Sequence, residues 1–548
     1  MLASLRQSSP ADTAELAAVH ALLRCLIREV AAPREEVWPA EPYLFLRVAD
    51  HLLRVRSHGG IALRFDGAAQ ELCGGTWRRL TVDRLAELTE TEMTRRTGTA
   101  NGEFARQVAE SRDAVAALLH ARERAVPPED PWLASEQSLV LGHPCHPSPK
   151  APGGPGWLRY APESFARFPL RFVAVRRELA ASAGDASALD RLGPAAPEGY
   201  LPLPVHPWQL ELLHDELAEP LADGRLIDLG YGHGPVHPTS SVRTVYDPGG
   251  RVCLKFSLDV RITNCVRKNS WYELAGAVEL SRRLGPVLES VARDHPGTRW
   301  LAEPGYRSAD LGLRLLEGLG VIVRQDPWQV VGPGVTPLLA GSVAAPGDRS
   351  AAALAAACGD PLAWWAAYLD RVAPPVFDAY LVHGVVLEPH LQNVLIGIDP
   401  EGFPVEAVFR DMEGTKLVAG RHDLTGLPDG VAGPLTYDAD RGWSRVVYCL
   451  IVNHLAEIAA TLAGPQAADG ADLHRRLWAI ARDRLARYAD RHDRHDRLTA
   501  LLTGEPLPAK ANLVVRWARS ADRAAGYVPV ANPFHLGDHD ATALRSAR

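Results

Sequence analysis

The chain has 548 residues, of which 47% are hydrophobic and 23% charged, so it can bury a large core and does not depend on disulfides or metal ions to fold. Its formal charge of −7 argues against a general nucleic-acid-binding protein, because such proteins are usually basic. The length suggests about two to four structural units.

Helical spacing and turn signals predict an α+β chain with several layers. Residues 11–125 are predicted to be mostly helical, with one short strand at 61–65. A stretch rich in proline and glycine at 126–160 marks a boundary, and short strands predominate between 200 and 260. Within that region the turn at 247–250 predicts a β-hairpin.

The rest of the chain continues the mixed pattern, with a further linker at 331–350. The predicted elements are a helix over 270–293, helices over 361–372 and beyond Pro374-Pro375, strands near 385–397 and 404–411, helices over most of 441–500, and a helix that carries Lys510.

The seven cysteines are scattered and include no CxxC pair, so neither a zinc site nor a disulfide framework is predicted. No apolar run reaches the ~18 residues that span a bilayer. The first 30 residues also lack the apolar core of a signal peptide. We therefore predict a soluble cytoplasmic protein with no membrane partner and no nucleic-acid partner.

Lysine is scarce in this chain, with five occurrences against 54 arginines. The bias itself indicates a GC-rich coding background. Each remaining lysine is a candidate for a site that needs a compact point charge, because the planar guanidinium of arginine fits some phosphate and carboxylate sites poorly. The five are Lys150, Lys255, Lys268, Lys416 and Lys510.

The loop at 143–150 concentrates groups that bind anions. His143, His146 and the scarce Lys150 are in a segment stiffened by three prolines, which has little freedom to lose on ordering. We predict an anion site here, with an ordinary surface loop as the alternative. Zinc is a poor alternative because no suitable third ligand lies nearby.

A run of hydroxyl groups with one arginine, at the start of a predicted strand, indicates a phosphate site. Hydroxyls and backbone N–H groups donate to phosphate oxygens, and arginine binds them bidentately. Lys255, on the next strand of the hairpin, should lie beside this run, as a kinase places its phosphate lysine. An ordinary loop rich in serine and threonine is the alternative. The run comprises Ser240, Ser241, Arg243 and Thr244.

Three further cations follow at Arg261, Arg267 and Lys268. In an acidic protein they indicate a second anion site next to the phosphate site. A solvated helix face is the alternative for this segment.

The strongest signal is a set of polar residues in an apolar setting, at 383–396 and again at 409–414. Buried polar groups without partners cost roughly 1–3 kcal/mol each, so an ordinary core would not contain them. Oxygen ligands from Glu388, Asn393 and Asp411 suit Mg²⁺ bound together with nucleotide phosphates. His390 and Gln392 belong to the same set. A protein kinase is excluded because the chain has neither a GxGxxG loop nor an HRD motif.

Taken in order, these blocks resemble the IucA/IucC family of siderophore synthetases, the NRPS-independent kind. The C-terminal part is similar to the FhuF-like region of that family. The matching stretches are HPCHPSPK (143–150), PVHPWQ (204–209), SSVRT (240–244), LKFSLDVRITNCVRK (254–268), GVIVRQ (320–325), HGVVLEPHLQN (383–393) and RDMEG (410–414).

The resemblance implies a ligase that uses ATP and Mg²⁺ to adenylate a carboxylate, typically of citrate or a related acid. An amine or hydroxyl of a second substrate, such as a polyamine, a hydroxamate-bearing amine or an alcohol, then displaces AMP. By motif match, the ATP phosphates would be held by Ser240, Ser241, Arg243, Thr244 and Lys255, the nucleotide by Gln392 and Asn393, the adenylate by His146 and Lys150, the substrate carboxylates by Arg261, Arg267 and His390, and Mg²⁺ by Glu388, Asn393 and Asp411.

The resemblance also implies a cupped-hand architecture, often dimeric. We place a helical thumb at 1–140, β-rich fingers with the ATP-phosphate region at 141–335, and a mostly helical palm with the catalytic loop at 336–548.

The chain departs from the family pattern at Cys145 and at Pro389. Pro389 restricts the backbone beside the predicted carboxylate site, which leaves acids other than plain citrate open as the substrate. Three alternatives stay open at this point: a ligase of the same mechanism in another natural-product pathway, a phosphotransferase that releases ADP, and a protein that binds or reduces ferric siderophores. The last would need clustered cysteines for an iron–sulfur centre, which the C-terminal half lacks.

Overall fold

The structure is a computed structural model that describes residues 9–262, 265–464, 470–520 and 525–535, with the backbone alone for 261–262 and 265–267. Helices and sheets occur in every part of the chain, which confirms the predicted α+β class. They surround a deep cleft, described below.

The N-terminal region packs helices against a five-stranded antiparallel meander. The helix that begins at Pro10 is capped by Ser9, whose hydroxyl accepts a hydrogen bond from the N–H of Asp12 at 3.1 Å. The elements are α1 (Pro10–Leu26), β1 (Val37–Ala40), β2 (Tyr43–Val48), β3 (His51–His58), β4 (Arg64–Cys73), β5 (Thr76–Arg79), α2 (Val82–Thr97), α3 (Phe104–Arg122) and α4 (Pro131–Glu136).

This sheet corrects the sequence prediction, which placed a single strand at 61–65 in a mostly helical region. Gly60–Ala62 is a 3-10 turn, and β4 begins only at Arg64. Along β2, Leu44, Leu46 and Val48 alternate with more exposed residues and pack into the N-terminal core. That two-residue period favours a strand over a helix.

The middle of the chain forms an eight-stranded antiparallel sheet in the order β7-β15-β16-β11-β10-β9-β6-β8. The eight strands of this sheet are β6 (Phe168–Arg176), β7 (Ala180–Gly184), β8 (Tyr200–Val205), β9 (Leu226–Pro238), β10 (Thr244–Asp247), β11 (Val252–Phe256), β15 (Gly305–Ala309) and β16 (Val321–Gln325). Between β11 and β15, β12 (Leu258–Ile262) pairs with β13 (Cys265–Arg267), and β14 (Thr298–Trp300) joins a sheet of the C-terminal region.

Two predictions in this region are confirmed. The hairpin at 247–250 joins β10 to β11, with Thr244 directly opposite Lys255. The predicted helix over 270–293 is α7, and it starts with a capping box between Ser270 and Glu273. The helices are α5 (Pro207–Leu212), α6 (His214–Ala222), α7 (Trp271–Asp294) and α8 (Leu313–Gly318).

The C-terminal region combines helices with a four-stranded sheet in the order β14-β20-β19-β17 and two smaller sheets. Its elements are β17 (Thr336–Leu339), α9 (Ala340–Ala344), α10 (Ala351–Cys358), α11 (Pro361–Leu381), β18 (Val385–Val386), β19 (Val394–Ile398), β20 (Pro404–Phe409), β21 (Lys416–Val418), α12 (Ala432–Leu435), β22 (Thr436–Tyr437), α13 (Ala439–Val447), a π-helix (Tyr448–Leu455), α14 (Ala456–Ala463), α15 (Gly470–Arg491), α16 (Asp496–Thr503), β23 (Leu507–Lys510), α17 (Asn512–Trp517) and β24 (Tyr527–Val530).

Two predictions here are wrong. The chain does not break into two helices at Pro374-Pro375, because α11 continues through both prolines. Buried side chains such as Trp365, Val372 and Phe377 hold the helix in the core on both sides of the prolines, so packing outweighs the lost backbone hydrogen bonds. Lys510, predicted to lie on a helix, is the last residue of β23.

Helix α17, late in the described chain, packs against the N-terminal region. Leu513 and Trp517 of α17 belong to the same hydrophobic core as α1. The buried carboxylate of Glu29 accepts hydrogen bonds from the N–H groups of Leu513 at 3.0 Å and Val514 at 2.9 Å. Helix α17 therefore completes the N-terminal core.

One stretch of the described chain, Ala439–Ala463, is long and apolar enough to cross a membrane by length and composition. This is weak evidence, since 89% of its most apolar window is buried inside the protein, as in the core helix of a soluble protein. Asn453, His454 and Glu457 interrupt the apolar sequence and make polar contacts with other parts of the chain.

The stability of the middle region is expected to depend on pH through His206. Its ring is 0% exposed, and burial lowers its pKa to about 3. As the pH falls from 6.5 towards 3, the unfolded chain binds a proton that the folded chain excludes, so the free energy of unfolding decreases, by up to about 1.4 kcal/mol per pH unit.

The variant His206→Asn tests this dependence, because asparagine can still cap α5, as His206 does by accepting from the N–H of Trp208 at 3.2 Å. Urea unfolding between pH 7 and 4.5 should show a flatter pH dependence in the variant. Replacing the exposed His120 by asparagine is the matched control and should leave the slope unchanged. Equal slopes in wild type and His206→Asn would contradict the prediction.

Candidate active site

A cleft of about 1660 Å³ opens between the eight-stranded sheet and the C-terminal helices. It brings together twelve predicted site residues, but Lys268, predicted for the second anion site, does not line it and pairs instead with Glu317. Arg261 and Arg267, predicted to face the substrate carboxylates, lie outside the described side chains. The twelve that line the cleft are His146, Lys150, Ser240, Ser241, Arg243, Thr244, Lys255, Glu388, His390, Gln392, Asn393 and Asp411.

The floor of the cleft is the face of the eight-stranded sheet that lines it. The strand register alone places three polar residues on this face. Thr244 on β10 is opposite Lys255 on β11, and Lys255 is opposite Ile322 on β16. Arg324 is two residues beyond Ile322, so it projects from the same face of the sheet. The polar side chains of Thr244, Lys255 and Arg324 therefore share one face.

A network of opposite charges occupies this floor. Lys255 Nζ lies 2.5 Å from Asp411 Oδ1 and 2.6 Å from Glu413 Oε2. Arg243 donates to Glu413 at 2.7 Å, and Arg324 donates to Asp411 at 3.1 Å. All three cations are buried, with Lys255 only 3% exposed. Arg324 also donates to the buried carboxylate of Glu303 at 2.9 Å, so three cations face three carboxylates and the network is balanced in charge.

The network is ionised at neutral pH. Burial alone would lower the pKa of Lys255, but the carboxylates of Asp411 and Glu413 outweigh burial and raise it. Burial opposes ionisation of Asp411, yet Lys255 and Arg324 hold its pKa far below its usual range. Burial also opposes ionisation of Glu413, but Arg243 and Lys255 lower its pKa to about 2.

Three non-glycine residues of the cleft have a left-handed backbone, Val242 with φ +68°, Asp411 with φ +81° and Arg519 with φ +52°. A β-branched residue rarely adopts this conformation. Such backbone costs about 1–3 kcal/mol per residue and is found where the surrounding structure enforces it, often at functional sites. The strained residues Val242 and Asp411 lie in the loop at 240–244, called the hydroxyl-rich loop below, and in the segment after β20.

Glu136, which the sequence analysis did not select, anchors the hydroxyl-rich loop. Its buried carboxylate pairs with Arg410 at 2.6 and 3.1 Å and accepts from the N–H of Ser240 at 3.2 Å and its hydroxyl at 2.8 Å. Gln392 donates to the carbonyl of Ser240 at 2.8 Å. Glu136 and Gln392 therefore hold the loop in place through Ser240.

The loop between β18 and β19 carries Glu388 and His390. Glu388 lies 2.7 Å from Arg445 on α13 and 3.9 Å from His390. Burial lowers the pKa of His390, so its ring is neutral at pH 7. Arg445 in turn faces the ring of Tyr437 at 5.8 Å.

Pro389, at which the chain departs from the family pattern, is held by the π-helix. Its carbonyl can only accept, so His454 donates from Nδ1 at 2.9 Å and accepts from the hydroxyl of Tyr368 at Nε2, 2.5 Å away. Asn453 of the same π-helix lies 3.2 Å from His143. π-Helices are rare and frequently occur at functional sites.

The loop at 143–150 closes the cleft on its N-terminal side. Lys150 forms an ion pair with Glu163. His146 accepts at Nδ1 from the N–H of Ser148 at 3.1 Å. Asn512 donates to the carbonyl of Cys145 at 2.8 Å, which ties this loop to α17.

The predicted metal ligands converge only in part. Glu388 and Asp411 flank Gly414, but Arg445 and Lys255 already neutralise their carboxylates. Among the described residues no group of three or more His, Cys, Asp or Glu side chains could hold a metal ion. The donors fit Mg²⁺ in the mode in which one or two carboxylates bind the ion and phosphates or waters complete its coordination.

Gly414 gives a direct test of the Glu388 position. A methyl group at this residue would overlap Oε2 of Glu388 and lie 3.5 Å from Oδ2 of Asp411. The overlapping atom ends a flexible side chain, so in Gly414→Ala the carboxylate of Glu388 should rotate away from Arg445 while the fold is kept. We expect turnover to fall at least tenfold with little change in melting temperature. Unchanged turnover would show that the position of Glu388 does not matter.

The matched control for this variant is Gly433→Ala. Gly433 also lines the cleft, but a methyl group there meets nothing within 4 Å. It should retain the wild-type rate.

Several residues of the site were missed by sequence reasoning. The scarcity of lysine pointed to Lys416 and Lys510, which also line the cleft, but sequence reasoning assigned them no role. Arg324 lies in the stretch GVIVRQ, and Arg410 and Glu413 lie in the stretch RDMEG. A charged residue within or directly after an apolar strand could have identified them as candidate site residues. Glu136 and Arg445 had no such signal.

Two family profiles match the chain. The IucA / IucC family matches residues 131–345, and the profile described as ferric iron reductase FhuF-like transporter matches residues 362–525.

The chain is 30% identical to the rhizobactin siderophore biosynthesis protein RhbC of Rhizobium meliloti (strain 1021), over 77% of this chain and 80% of that protein. It is 28% identical to the L-2,3-diaminopropanoate–citrate ligase of Staphylococcus aureus (strain NCTC 8325 / PS 47), over 70% and 72% of the two chains. The solved structure of ATP-bound aerobactin synthetase IucA from Klebsiella pneumoniae superposes with a TM-score of 0.81 at 24% identity, covering 95% of this chain and 99% of that one, which establishes the shared fold.

Proposed function

Because this chain belongs to the IucA/IucC family of siderophore synthetases, we propose that it uses ATP to join a carboxylate, on citrate or a related acid, to an amine or hydroxyl group. The observation that carries the proposal is the set of three buried cations, Arg243, Lys255 and Arg324, on the cleft floor beside the hydroxyl-rich loop, which suits a triphosphate. The diaminopropanoate–citrate ligase among the relatives supports an acid of the citrate type.

A carboxylate is a poor electrophile, so the reaction needs an activated acid. In the proposed sequence an oxygen of the acid attacks the α-phosphorus of ATP, and the bond to pyrophosphate breaks. The amine or hydroxyl then attacks the acyl carbon, loses its proton, and AMP leaves with the electron pair. The protein contributes positioning and charge neutralisation.

In this proposal the cleft residues take distinct positions. Arg243, Lys255 and the hydroxyls of the 240–244 loop bind the phosphates, with Gln392 and Asn393 on the nucleotide. His146 and Lys150 lie at the adenylate. His390 faces the carboxylates of the acid, together with Arg261 and Arg267.

Mg²⁺ belongs to the same proposal, held by Glu388, Asn393 and Asp411. When bound with ATP, the ion would neutralise phosphate charge. Asp411 would then exchange part of its contact with Lys255 for the ion. The enzyme is proposed to be cytoplasmic and to form a homodimer.

A panel of carboxylic acids in a pyrophosphate-release assay, with Mg-ATP and hydroxylamine as the trap, tests the reaction. The expected result is AMP, pyrophosphate and an acyl hydroxamate with citrate or a close relative. ADP in place of AMP would establish the phosphotransferase alternative and overturn the adenylation sequence.

A ligase of the same mechanism in another natural-product pathway remains the second candidate, because the adenylating chemistry does not name the product. Genetic loss of the protein separates the two: loss of iron-chelating activity from the culture supports the siderophore assignment. An iron reductase is not supported, since the described part of the C-terminal half offers only Cys358 and Cys449, which form no metal-binding group.

A further inference from the structure

Lys416 is one of the scarce lysines, and the proposed function gives it no role. It is the first residue of β21, lines the cleft and is buried, with 8% of the residue exposed. Its Nζ donates to the backbone carbonyl of Glu413 at 2.6 Å. Within the described chain this ammonium forms no ion pair with a carboxylate, so its only partner of known geometry there is a neutral oxygen.

The carboxylates nearest to Lys416 already have other cations as partners. The carboxylate of Glu413 lies 2.6 Å from Lys255 on the cleft floor. The carboxylate of Glu388 lies 2.7 Å from Arg445. Each of these negative charges is therefore compensated before Lys416 is counted.

A third carboxylate in this region, Glu273, serves the start of α7. It accepts from the N–H of Ser270 at 2.7 Å and from the hydroxyl of Tyr272 at 3.0 Å. Burial, and after it the charge of Arg445, lower the pKa of Lys416 although all three carboxylates act in the opposite direction. The charge of Lys416 is thus only partly compensated by the described chain.

A buried ammonium without a carboxylate partner opposes folding, because its lost hydration is not replaced. Methionine, which is also unbranched and flexible, would fill a similar space without a charge. A charged group that is kept in a cleft in spite of this cost is a candidate for function. We therefore expect the compensating anion to come from a ligand.

Lys416 lies between the two parts of the cleft that the proposed function uses. On one side it holds the carbonyl of Glu413, whose carboxylate contacts Lys255 on the phosphate-binding floor. On the other side it is opposite Val386 of β18, two residues before Glu388. The acid has to meet the α-phosphate at such a boundary, because its carboxylate attacks the phosphorus.

We propose that Lys416 is a catalytic residue whose ammonium binds the carboxylate that is activated. The inference rests on the proposed function and deepens it at the reacting group. The contact with Glu413 leaves two of the three ammonium N–H groups for the substrate.

The ammonium binds the carboxylate oxygen that does not attack the phosphorus. That oxygen becomes the carbonyl oxygen of the acyl-adenylate. It gains negative charge when the amine or hydroxyl attacks the acyl carbon, and it loses this charge when AMP leaves with the electron pair. A fixed cation beside the oxygen stabilises both the bound acid and the transition state of the second step.

The test separates the acid from the nucleotide. ATP–pyrophosphate exchange, with the acid selected in the hydroxylamine assay, measures the first step without a nucleophile. In Lys416→Met the KM for the acid should rise about tenfold or more, while the KM for ATP stays within about threefold. Hydroxamate formation at saturating acid should also be about tenfold slower. An unchanged KM for the acid, or a loss of ATP affinity alone, overturns the inference.

Stability distinguishes this catalytic role from a structural one. Because Lys416→Met removes a buried charge without a carboxylate partner, its melting temperature should equal or exceed that of the wild type. Lys416→Arg, which keeps the charge, should bind the acid more tightly than Lys416→Met. A lower melting temperature of Lys416→Met together with its loss of activity would assign Lys416 a structural role and overturn the inference.

The matched control is Lys268→Met, since Lys268 pairs with Glu317 and does not line the cleft. It should retain the wild-type KM for the acid. If the wild-type protein shows no exchange with any acid, the proposed function itself fails. If exchange occurs and Lys416→Met matches the wild type, the inference alone fails, so the two failures are distinguishable.

Discussion

Replacing Lys255 by alanine is expected to lower turnover at least tenfold, a loss of about 1.4 kcal/mol or more of transition-state stabilisation. Lys255 is the cation that contacts both carboxylates of the cleft floor. Its removal takes away a charge-assisted phosphate contact and leaves two negative charges facing the incoming triphosphate. Arg243→Ala should have an effect of the same direction and at least tenfold, because Arg243 pairs with Glu413 in the same network.

The measurements are pyrophosphate release at saturating acid and ATP affinity by calorimetry, with a melting curve for each variant. The fold should persist in Lys255→Ala, because Arg324 still pairs with Asp411 and Arg243 with Glu413. Lys268→Ala is the matched control: this lysine is equally scarce, pairs with Glu317 and does not line the cleft. Near-wild-type rates in both Lys255→Ala and Arg243→Ala would remove the phosphate assignment.

Replacing Glu136 by alanine is expected to have the largest effect on stability, about 3–5 kcal/mol, because it leaves Arg410 buried without its carboxylate. Glu136 is 0% exposed and pairs with Arg410 through both oxygens. The same substitution removes both hydrogen bonds that Ser240 makes to this carboxylate. ATP affinity should therefore decrease along with stability, since the hydroxyl-rich loop loses its anchor.

Urea unfolding followed by tryptophan fluorescence gives the change in free energy. Glu123→Ala is the control, because Glu123 forms only an exposed pair with His120 and such pairs contribute little. A Glu136→Ala protein within about 1 kcal/mol of wild type would show that the buried pair does not hold the loop.

Sequence reasoning performed best where chemistry is local in the chain. The hairpin turn placed Thr244 opposite Lys255, as the structure confirms. Polar residues in apolar surroundings at 388–393 and 410–414 identified the segments that meet in the cleft, because burying such groups without a purpose is costly. The scarcity of lysine was also informative, since four of the five lysines line the cleft.

Contacts between residues that are far apart in the sequence could not be predicted in this way. The structural role of Glu136 depends on its ion pair with Arg410, which is 274 residues later in the chain. The sheet at 37–79 was missed because charged residues interrupt the apolar pattern of its strands. The continuous helix α11 was missed because packing of Trp365 and Phe377 overrides the local effect of two prolines.

The return of the C-terminus to the N-terminal core has a consequence for synthesis on the ribosome. Glu29 receives its backbone donors from residues 513 and 514, so a nascent chain carries an incompletely bonded buried carboxylate until those residues have emerged. The core around Glu29 is thus completed only about 480 residues after Glu29 itself is translated. Premature termination before α17 would leave its core open to chaperones and proteases rather than releasing a stable fragment.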